Sequence, residues 1–519
     1  MVAMGREDTL VTLVRDRLRL HQGPPSRRLA GALADLAHTG LISPGTRLPS
    51  ERDLAQAVGV SRGTVAAAFN ALCEEGLCER RHGSGTYVLG TPSFGALLQA
   101  GAVRADLSTS VVPDPSHLVL PSVDPAELMR VPSGHGYDAM GDLRLRTVLA
   151  ASSGMAASGA AASGAAASGA AASGAAASGA AASASKASGL VAGAWASGMA
   201  ASGMAASGAA ASGMAASGLA ASGPSGGGSV GPKDILVTAG AQQGIDLAAR
   251  VLLRPGDRVL VGDPAYGGAL SVFRRAGAHV VAVDLTSPQA VADALARHRP
   301  AAVYAACVDN PTGTVAPLRH VAELARDADV TVVEDRALAA LVHDGAPPPE
   351  PLAAAHPYGT VTVGSLSKSL WGGLRVGWVT APEPLLARLT EAKVDADLAT
   401  SAVAQRLATD LLERNPVAPW LAELGRRRDH CLAALSAHLP EWTWTRPAGG
   451  LSVWARLPGA DTDRFAAVAR EHGVAVAPGS LFSPDGRHRD RLRLSFALPP
   501  DLLDQAIADL AQAWRAYER

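Results

Sequence analysis

The stretch that decides the reading of this chain is Gly364-Ser-Leu-Ser-Lys-Ser-Leu-Trp-Gly-Gly-Leu-Arg-Val-Gly377. It follows an apolar run, Val361–Val363, with the length and composition of a buried strand. The hydroxyls of Ser365 and Ser367 precede Lys368 on a turn of small residues, and Arg375 stands seven positions further on. A lysine so placed suits Schiff-base formation with an aldehyde. Serine hydroxyls and a guanidinium fork suit the oxygens of a phosphate. Pyridoxal 5′-phosphate (PLP) carries both groups. A glycine-rich loop with an ordinary surface lysine would read the same way locally, so the surroundings decide.

Upstream, apolar runs of strand length alternate with helical patterns: Ile235–Val237, Arg258–Val261, His279–Val283, Ala301–Ala306 and Val330–Val333. This alternation predicts an α/β fold with a mostly parallel sheet, covered by helices on both faces. Thr238-Ala-Gly-Ala-Gln-Gln-Gly244 stands at a strand-to-helix junction, where main-chain N–H groups suit a phosphate. Asp263-Pro-Ala-Tyr266 ends the next strand and puts Tyr266 either near a cofactor ring or in the core. In Asp309-Asn-Pro-Thr-Gly313, Asn310 is either a partner of the phenolic oxygen of PLP or a turn former. Asp335 ends the Val330–Val333 strand, as a partner for a protonated pyridine nitrogen or as a helix cap. Past Ala381 a smaller α+β region is predicted, with Leu451–Leu457 and Arg491–Leu498 alternating like strands. There Arg493 offers a fork to a carboxylate or faces solvent.

The order of these features carries more than any one of them. Gly240-Ala241-Gln242, Asn-Pro-Thr-Gly, a strand-end aspartate, then Ser-x-Ser-Lys with its arginine resembles the complete PLP set of fold-type I aminotransferases. The resemblance implies that Lys368 is the catalytic lysine, Asp335 the pyridine partner and Arg493 the holder of an amino-acid α-carboxylate. It implies a cofactor site completed by Gly240, Ala241, Gln242, Tyr266, Asn310, Ser365, Ser367 and Arg375, with no metal. Pro113-Asp-Pro-Ser-His-Leu118 and Gly136-Tyr-Asp-Ala-Met-Gly-Asp-Leu-Arg144 resemble the first segment of such a domain. In that family a tyrosine near Tyr137 reaches the cofactor phosphate of the neighbouring subunit. One departure is Arg336-Ala337, where many relatives carry a tyrosine two after the aspartate. The missing hydroxyl removes a contact to the cofactor oxygen.

The first ninety residues follow another plan. Leu10, Val14 and Leu18 open an amphipathic stretch, and Leu29, Leu33 and Leu36 share a face of a helix over Arg27–His38. Ser50 caps a short helix, Glu51–Val58, that stops at Gly59. Ser61 caps the next, Arg62–Glu75, with Val65, Phe69 and Leu72 as its buried stripe. Two short helices at this spacing read as a helix-turn-helix, and Leu77–Arg81 with Thr86–Leu89 around His82-Gly-Ser-Gly85 as a wing. Pro44-Gly-Thr-Arg-Leu-Pro-Ser-Glu-Arg-Asp-Leu-Ala55, Val60-Ser-Arg-Gly-Thr-Val65 and Gly83-Ser-Gly-Thr-Tyr87 resemble the winged helix of GntR-type regulators. That resemblance implies Arg52 on phosphate, Ser61, Arg62 and Thr64 in the major groove, and His82 and Gly83 on the backbone or minor groove. Ala66 and Ala67 stand where such helices often carry longer polar side chains, so base readout is expected to be sparse.

Between these parts, 90–105 reads as a linker, giving a DNA-binding domain over 10–89 and an aminotransferase-like domain over 106–519. The latter is interrupted by Ala/Ser/Gly pentapeptides over Ala151–Ser229. Glycine every few residues costs a helix about 1 kcal/mol each time relative to alanine. A five-residue step also turns about 140° around a helix and builds no steady apolar face. Disorder or fraying helix is expected there.

A net charge of −1 confines any nucleic-acid contact to a local basic patch. No apolar run has the length to span a bilayer, and the first residues lack a signal-peptide core. The four cysteines have no metal-ligand spacing. A cytoplasmic protein is expected. The whole resembles the MocR subgroup of GntR-type regulators, which implies a PLP-binding homodimer on double-stranded operator DNA, responsive to PLP, an amino acid or an amine. A transaminase that turns over, with DNA binding secondary, remains open, because every group that transamination needs is present.

Overall fold

The computed structural model describes residues 6–19, 21, 23–38, 42, 46–74, 77–81, 84–88, 97, 103–113, 115–130, 135–151 and 230–518. Ala151 ends the described part of a helix that starts at 143, so the reading of the Ala/Ser/Gly insert lies outside the described residues, as does most of the linker.

Four helices, Arg6–Leu18, Pro25–His38, Glu51–Val58 and Arg62–Glu74, precede an antiparallel hairpin of Cys78–Arg81 with Gly85–Val88. The second helix starts two residues ahead of the predicted Arg27, because proline at the first helical position gives up no hydrogen bond. Ser50 caps the third, its Oγ accepting from the Asp53 N–H at 3.2 Å. Gly59 ends it in the left-handed region (φ 73°) and donates its N–H to Ala55, which sets the angle to the following helix. Val14, Leu29, Leu33, Leu36, Leu54, Val65, Phe69 and Leu72 form one core here.

From residue 235 onward, a seven-stranded sheet runs in the order Ile235–Thr238, Gly377–Thr380, Thr360–Ser365, Thr331–Asp335, Ala302–Ala306, Arg258–Val261, His279–Ala282. Its pairings are parallel except at Gly377–Thr380, which is antiparallel to both neighbours. Alternate side chains enter different cores, as the two-residue period of a strand requires. Leu260, Val303 and Val332 pack on one face, while Val259, Val261, Tyr304 and Val333 pack on the other.

Sequence patterning anticipates no strand at Gly377–Thr380, since four residues beginning with glycine carry little signal. Packing explains the glycine: a Cβ on Gly377 would lie 2.6 Å from the Gly364 carbonyl oxygen and 2.7 Å from the Gly240 Cα. Three chain segments meet at these glycines, and each leads directly into the site.

The C-terminal region holds a four-stranded antiparallel sheet, ordered Thr443–Trp444, Ser452–Arg456, Arg491–Ser495, Ala477–Pro478. Val453, Ala455, Leu492 and Leu494 face a core with Phe465 and Trp514. Arg493 and Trp454, directly paired, occupy the opposite face. Ala105–Asp106 pairs in parallel with Val474–Ala475, and Leu107 then bonds Ala475 and Ser495 through its main chain. This pairing carries residues 108–110 along the small sheet to the site.

Candidate functional site

The turn after Thr360–Ser365 carries Lys368, whose ammonium donates to the main-chain carbonyl of Ser110. Burial, with the positive charges of Arg493 and Arg375, pushes the Lys368 amine down to about 7, against a smaller upward pull from Asp335. Asp335, 9% exposed, closes the Thr331–Asp335 strand. Its Oδ1 accepts from the Ala337 N–H at 2.9 Å and its Oδ2 from the Tyr304 hydroxyl at 2.7 Å. Burial raises the Asp335 carboxyl above the usual carboxylate range, and those two donors oppose the rise.

Arg493 is 1% exposed. Its Nη1 donates to Asn310 Oδ1 at 3.0 Å, its Nη2 donates to the Ser108 carbonyl, and its guanidinium lies 4.7 Å above the Phe482 ring. Burial lowers it to about 10, so it stays charged at neutral pH. Its Nε is buried with no partner. Because arginine only donates, the Asn310 atom facing it must be the oxygen, which turns the amide NH₂ the other way. The turn that presents Asn310 is closed by Asp309, which accepts from Thr312 through Oδ2 and whose carbonyl accepts from the Gly313 N–H.

At the start of the Ala241–Leu252 helix, Gly240 adopts φ 92°, and a Cβ there would meet the Arg375 guanidinium at 2.9 Å. Arg375, itself left-handed at φ 52°, donates to the Ala239 carbonyl at 2.7 Å and stays exposed. Ser365 Oγ accepts from the Ser367 N–H, while Ser367 Oγ and Gln242 Oε1 are buried without partners. Helix-start N–H groups, an arginine and an orphaned hydroxyl make a donor set for a phosphate. With an amine, a carboxylate and an amide beside them, these residues fit PLP. Tyr266 packs over Gly268, where a Cβ would strike its ring at 2.5 Å, and burial raises its hydroxyl so that it keeps its proton.

The large region therefore brings together Lys368, Asp335, Asn310, Arg493, Tyr266, Ser365, Ser367, Arg375 and Gly240-Ala241-Gln242. Sequence reading missed Tyr304, Ser108 and Ser110. The two serines act through main-chain carbonyls, which no side-chain pattern signals. Tyr304 reads as one more apolar strand residue, although its strand parity beside Asp335 would have exposed it.

On the winged helix, Arg62 is 77% exposed, with its Nε 3.2 Å from Glu51 Oε2. Arg80 on the wing reaches Glu51 Oε1, also at 3.2 Å. Ser61 and Thr64 share a hydroxyl hydrogen bond of 2.8 Å at the helix start, and Ser61 Oγ also accepts the Thr64 N–H as its cap. Arg52 is exposed. His82 and Gly83 lie outside the described residues.

A family model for class I and II aminotransferases matches residues 223–510, and one for bacterial regulatory proteins of the gntR family matches residues 25–88. The chain belongs to the class I and II aminotransferase family. This aminotransferase-family chain carries a GntR-type helix-turn-helix ahead of its large domain, the architecture of the MocR subgroup. It is 34% identical over 285 residues to 2-aminoadipate transaminase of Thermus thermophilus, covering 52% of this chain and 72% of that protein. It is 32% identical over 296 residues to the HTH-type transcriptional regulator TauR of Rhodobacter capsulatus, covering 55% and 61% respectively. Among solved structures, it is similar to LysN, the α-aminoadipate aminotransferase of Thermus thermophilus complexed with N-(5′-phosphopyridoxyl)-L-leucine. That match has 32% identity and a TM-score of 0.52, and covers 56% of this chain and 79% of that one. The fold is thus that of fold-type I aminotransferases with an N-terminal helix-turn-helix. No helix among the described residues is long and apolar enough to cross a membrane.

Proposed function

We propose that this chain is a PLP-dependent, DNA-binding transcriptional regulator whose aminotransferase-like domain senses PLP, an amino-acid-like effector, or both. One observation carries the reading: a helix-turn-helix with an exposed Arg62 shares a chain with a half-buried lysine beside a buried carboxylate and a buried arginine at one site. In this reading Lys368 holds the cofactor covalently and Asp335 pairs with its ring nitrogen. Asn310 donates to its phenolic oxygen, Tyr266 lies against its ring, and Ser365, Ser367, Arg375 and the helix start at Gly240, Ala241 and Gln242 take its phosphate. PLP supplies the aldehyde and the electron-withdrawing ring. Arg493 presents its unpartnered Nε and its fork to the effector's carboxylate.

Arg52, Ser61, Arg62 and Thr64, with His82 and Gly83, contact operator DNA as a domain over 10–89. A linker over 90–105 joins it to the effector domain over 106–519, with its insert at 151–229. A homodimer is proposed because Val119, Leu120, Met129 and Leu143 leave large apolar side chains exposed along the first segment of that domain, Met129 at 74%. Tyr137, 62% exposed in the same segment, is then placed to serve a neighbouring subunit. The working compartment is the cytoplasm.

A second reading, transamination, is favoured by one feature: an amine pushed down to about 7 suits proton transfer at neutral pH. An absorbance titration of the PLP-loaded protein with amino acids, then keto acids, separates the two. A cofactor band that shifts without passing to the amine form of the cofactor supports the sensor. Full interconversion, reversed by a keto acid, supports the transaminase. Lys368→Ala is expected to abolish covalent PLP attachment and leave operator binding by the winged helix measurable. A variant that keeps covalent PLP sinks the lysine assignment.

A further inference from the structure

The inference that follows rests on the PLP reading above and deepens it. We propose that Tyr304 is a positioning residue whose hydrogen bond to Asp335 favours the ionised carboxylate, and thereby sets how strongly the cofactor ring draws electrons.

Register brings the two together. Ala306 is paired with Asp335 and Tyr304 with Val333, so Tyr304 and Asp335 lie on the same face of adjacent strands, one pleat apart. The tyrosine hydroxyl donates to Asp335 Oδ2 at 2.7 Å. The ring is fully buried, with Phe273 edge-on at a centroid distance of 5.6 Å, so the phenol has little room to turn away. Asp335 Oδ1 is held separately by the Ala337 N–H, which leaves each oxygen a lone pair for a third partner.

Chemistry assigns the direction of the effect. Burial favours the neutral acid, and the Tyr304 hydrogen bond is the foremost influence holding the Asp335 carboxyl down. Lys368 aids it more weakly. Burial and the facing charge of Asp335 keep the Tyr304 phenol protonated, with Tyr266 and Asp309 adding to the effect, so Tyr304 serves only as a donor. Arg493 and Arg375 act on Lys368 and Tyr266 within the same enclosure. With PLP bound, an ionised Asp335 would hold a proton on the ring nitrogen. A neutral one would not. That ring charge would in turn disfavour a second positive charge at Lys368 once the lysine is joined to the cofactor. Losing the tyrosine hydroxyl would therefore raise the pKa of the Lys368 nitrogen.

The test is Tyr304→Phe in the full chain loaded with PLP, read by pH titration of the visible absorbance band. The band's midpoint is expected to rise, by at most about one to two pH units, the ceiling set by one hydrogen bond to a charged group. PLP stoichiometry is expected to stay at the wild-type level. A merely structural role would change thermal stability or PLP occupancy and leave the midpoint in place. Retained PLP with an unmoved midpoint overturns the proposal. Should the phenylalanine variant fail to fold, site-specific 3,5-difluorotyrosine at position 304 nearly keeps the volume and strengthens the donor, so the midpoint falls. No fall overturns the proposal equally. A wild-type protein that takes up no PLP overturns the cofactor reading as well, whereas an unmoved midpoint with PLP on Lys368 sinks only the role of Tyr304.

Discussion

Lys368 and Arg493 donate to the main-chain carbonyls of Ser110 and Ser108, two residues apart on one strap of chain. Asp106 pins the start of that strap: its carboxylate accepts from the Ser108 N–H at 2.7 Å and the Ser108 hydroxyl at 2.6 Å. Lys368 and Arg493 are thus both tied to the segment over 103–113. In the proposed reading, a cofactor on Lys368 or a carboxylate on Arg493 would take the place of one of these carbonyls. A dipolar carbonyl is the weaker partner for a cation than a carboxylate, so the exchange favours the ligand.

Covalent capture of PLP needs the neutral amine, and Lys368 sits at about 7 instead of the ordinary 10.5. The rate of PLP uptake by the apo-protein is therefore expected to climb as pH rises, bend near 7 and level off by about pH 8.5. Stopped-flow absorbance gives this profile. A rate still climbing tenfold per unit at pH 9 would return Lys368 to ordinary solvent-like behaviour. Arg493→Met removes the largest charge contribution to the lowering, so its bend is expected at higher pH.

Arg493 itself is expected to carry carboxylate affinity. Arg493→Ala removes a buried fork and leaves Asn310 Oδ1 and the Ser108 carbonyl without their donor. The expected loss is about 3 kcal/mol, roughly a hundredfold in Kd for an amino-acid ligand. Arg493→Lys keeps a charge without the planar fork and is expected to recover only part of it. Calorimetric titration of the PLP-loaded proteins measures both. Equal affinity in wild type and the alanine variant would move the carboxylate site elsewhere.

Much of this candidate site is legible in the sequence, for a physical reason. Lys368, Asp335 and Asn310 each end or follow a strand, so apolar runs bounded by turn residues locate them in one dimension, and parallel strands then gather their ends at one edge of the sheet. Arg493 was legible because arginine between leucines on a predicted strand stands out. What stayed hidden depends on register or on main chain. Tyr304 needed strand parity against Asp335, and the glycine junction of Gly240, Gly364 and Gly377 needed three segments far apart in sequence. The antiparallel strand Gly377–Thr380 was hidden for the same reason. On the winged helix, the capping serines and the Val65, Phe69 and Leu72 stripe were readable from local periodicity, but the convergence of two arginines on Glu51 was not, since it joins residues 29 positions apart.

That convergence leads to the last prediction. Glu51 neutralises Arg62 on the recognition helix and Arg80 on the wing, both on solvent-exposed side chains. In the proposed DNA-binding reading, operator phosphates would compete with it for the same guanidinium groups. Arg62→Ala is expected to weaken operator binding and to reduce the slope of log affinity against log salt by about one, the release of one counterion. Its PLP content is expected to match wild type, because Arg62 is no part of the cofactor site. Glu51→Gln acts in the opposite direction. It frees two arginines from an exposed pair worth about 0.2–1 kcal/mol each and removes a charge that DNA repels, so affinity is expected to rise about two- to fivefold at low salt, with the gain shrinking as salt screens it. Fluorescence anisotropy on operator DNA across a salt series reads all three proteins. If Glu51→Gln binds more weakly than wild type, Glu51 is holding Arg62 in its binding pose and is no competitor of the DNA, and the electrostatic reading of this face fails.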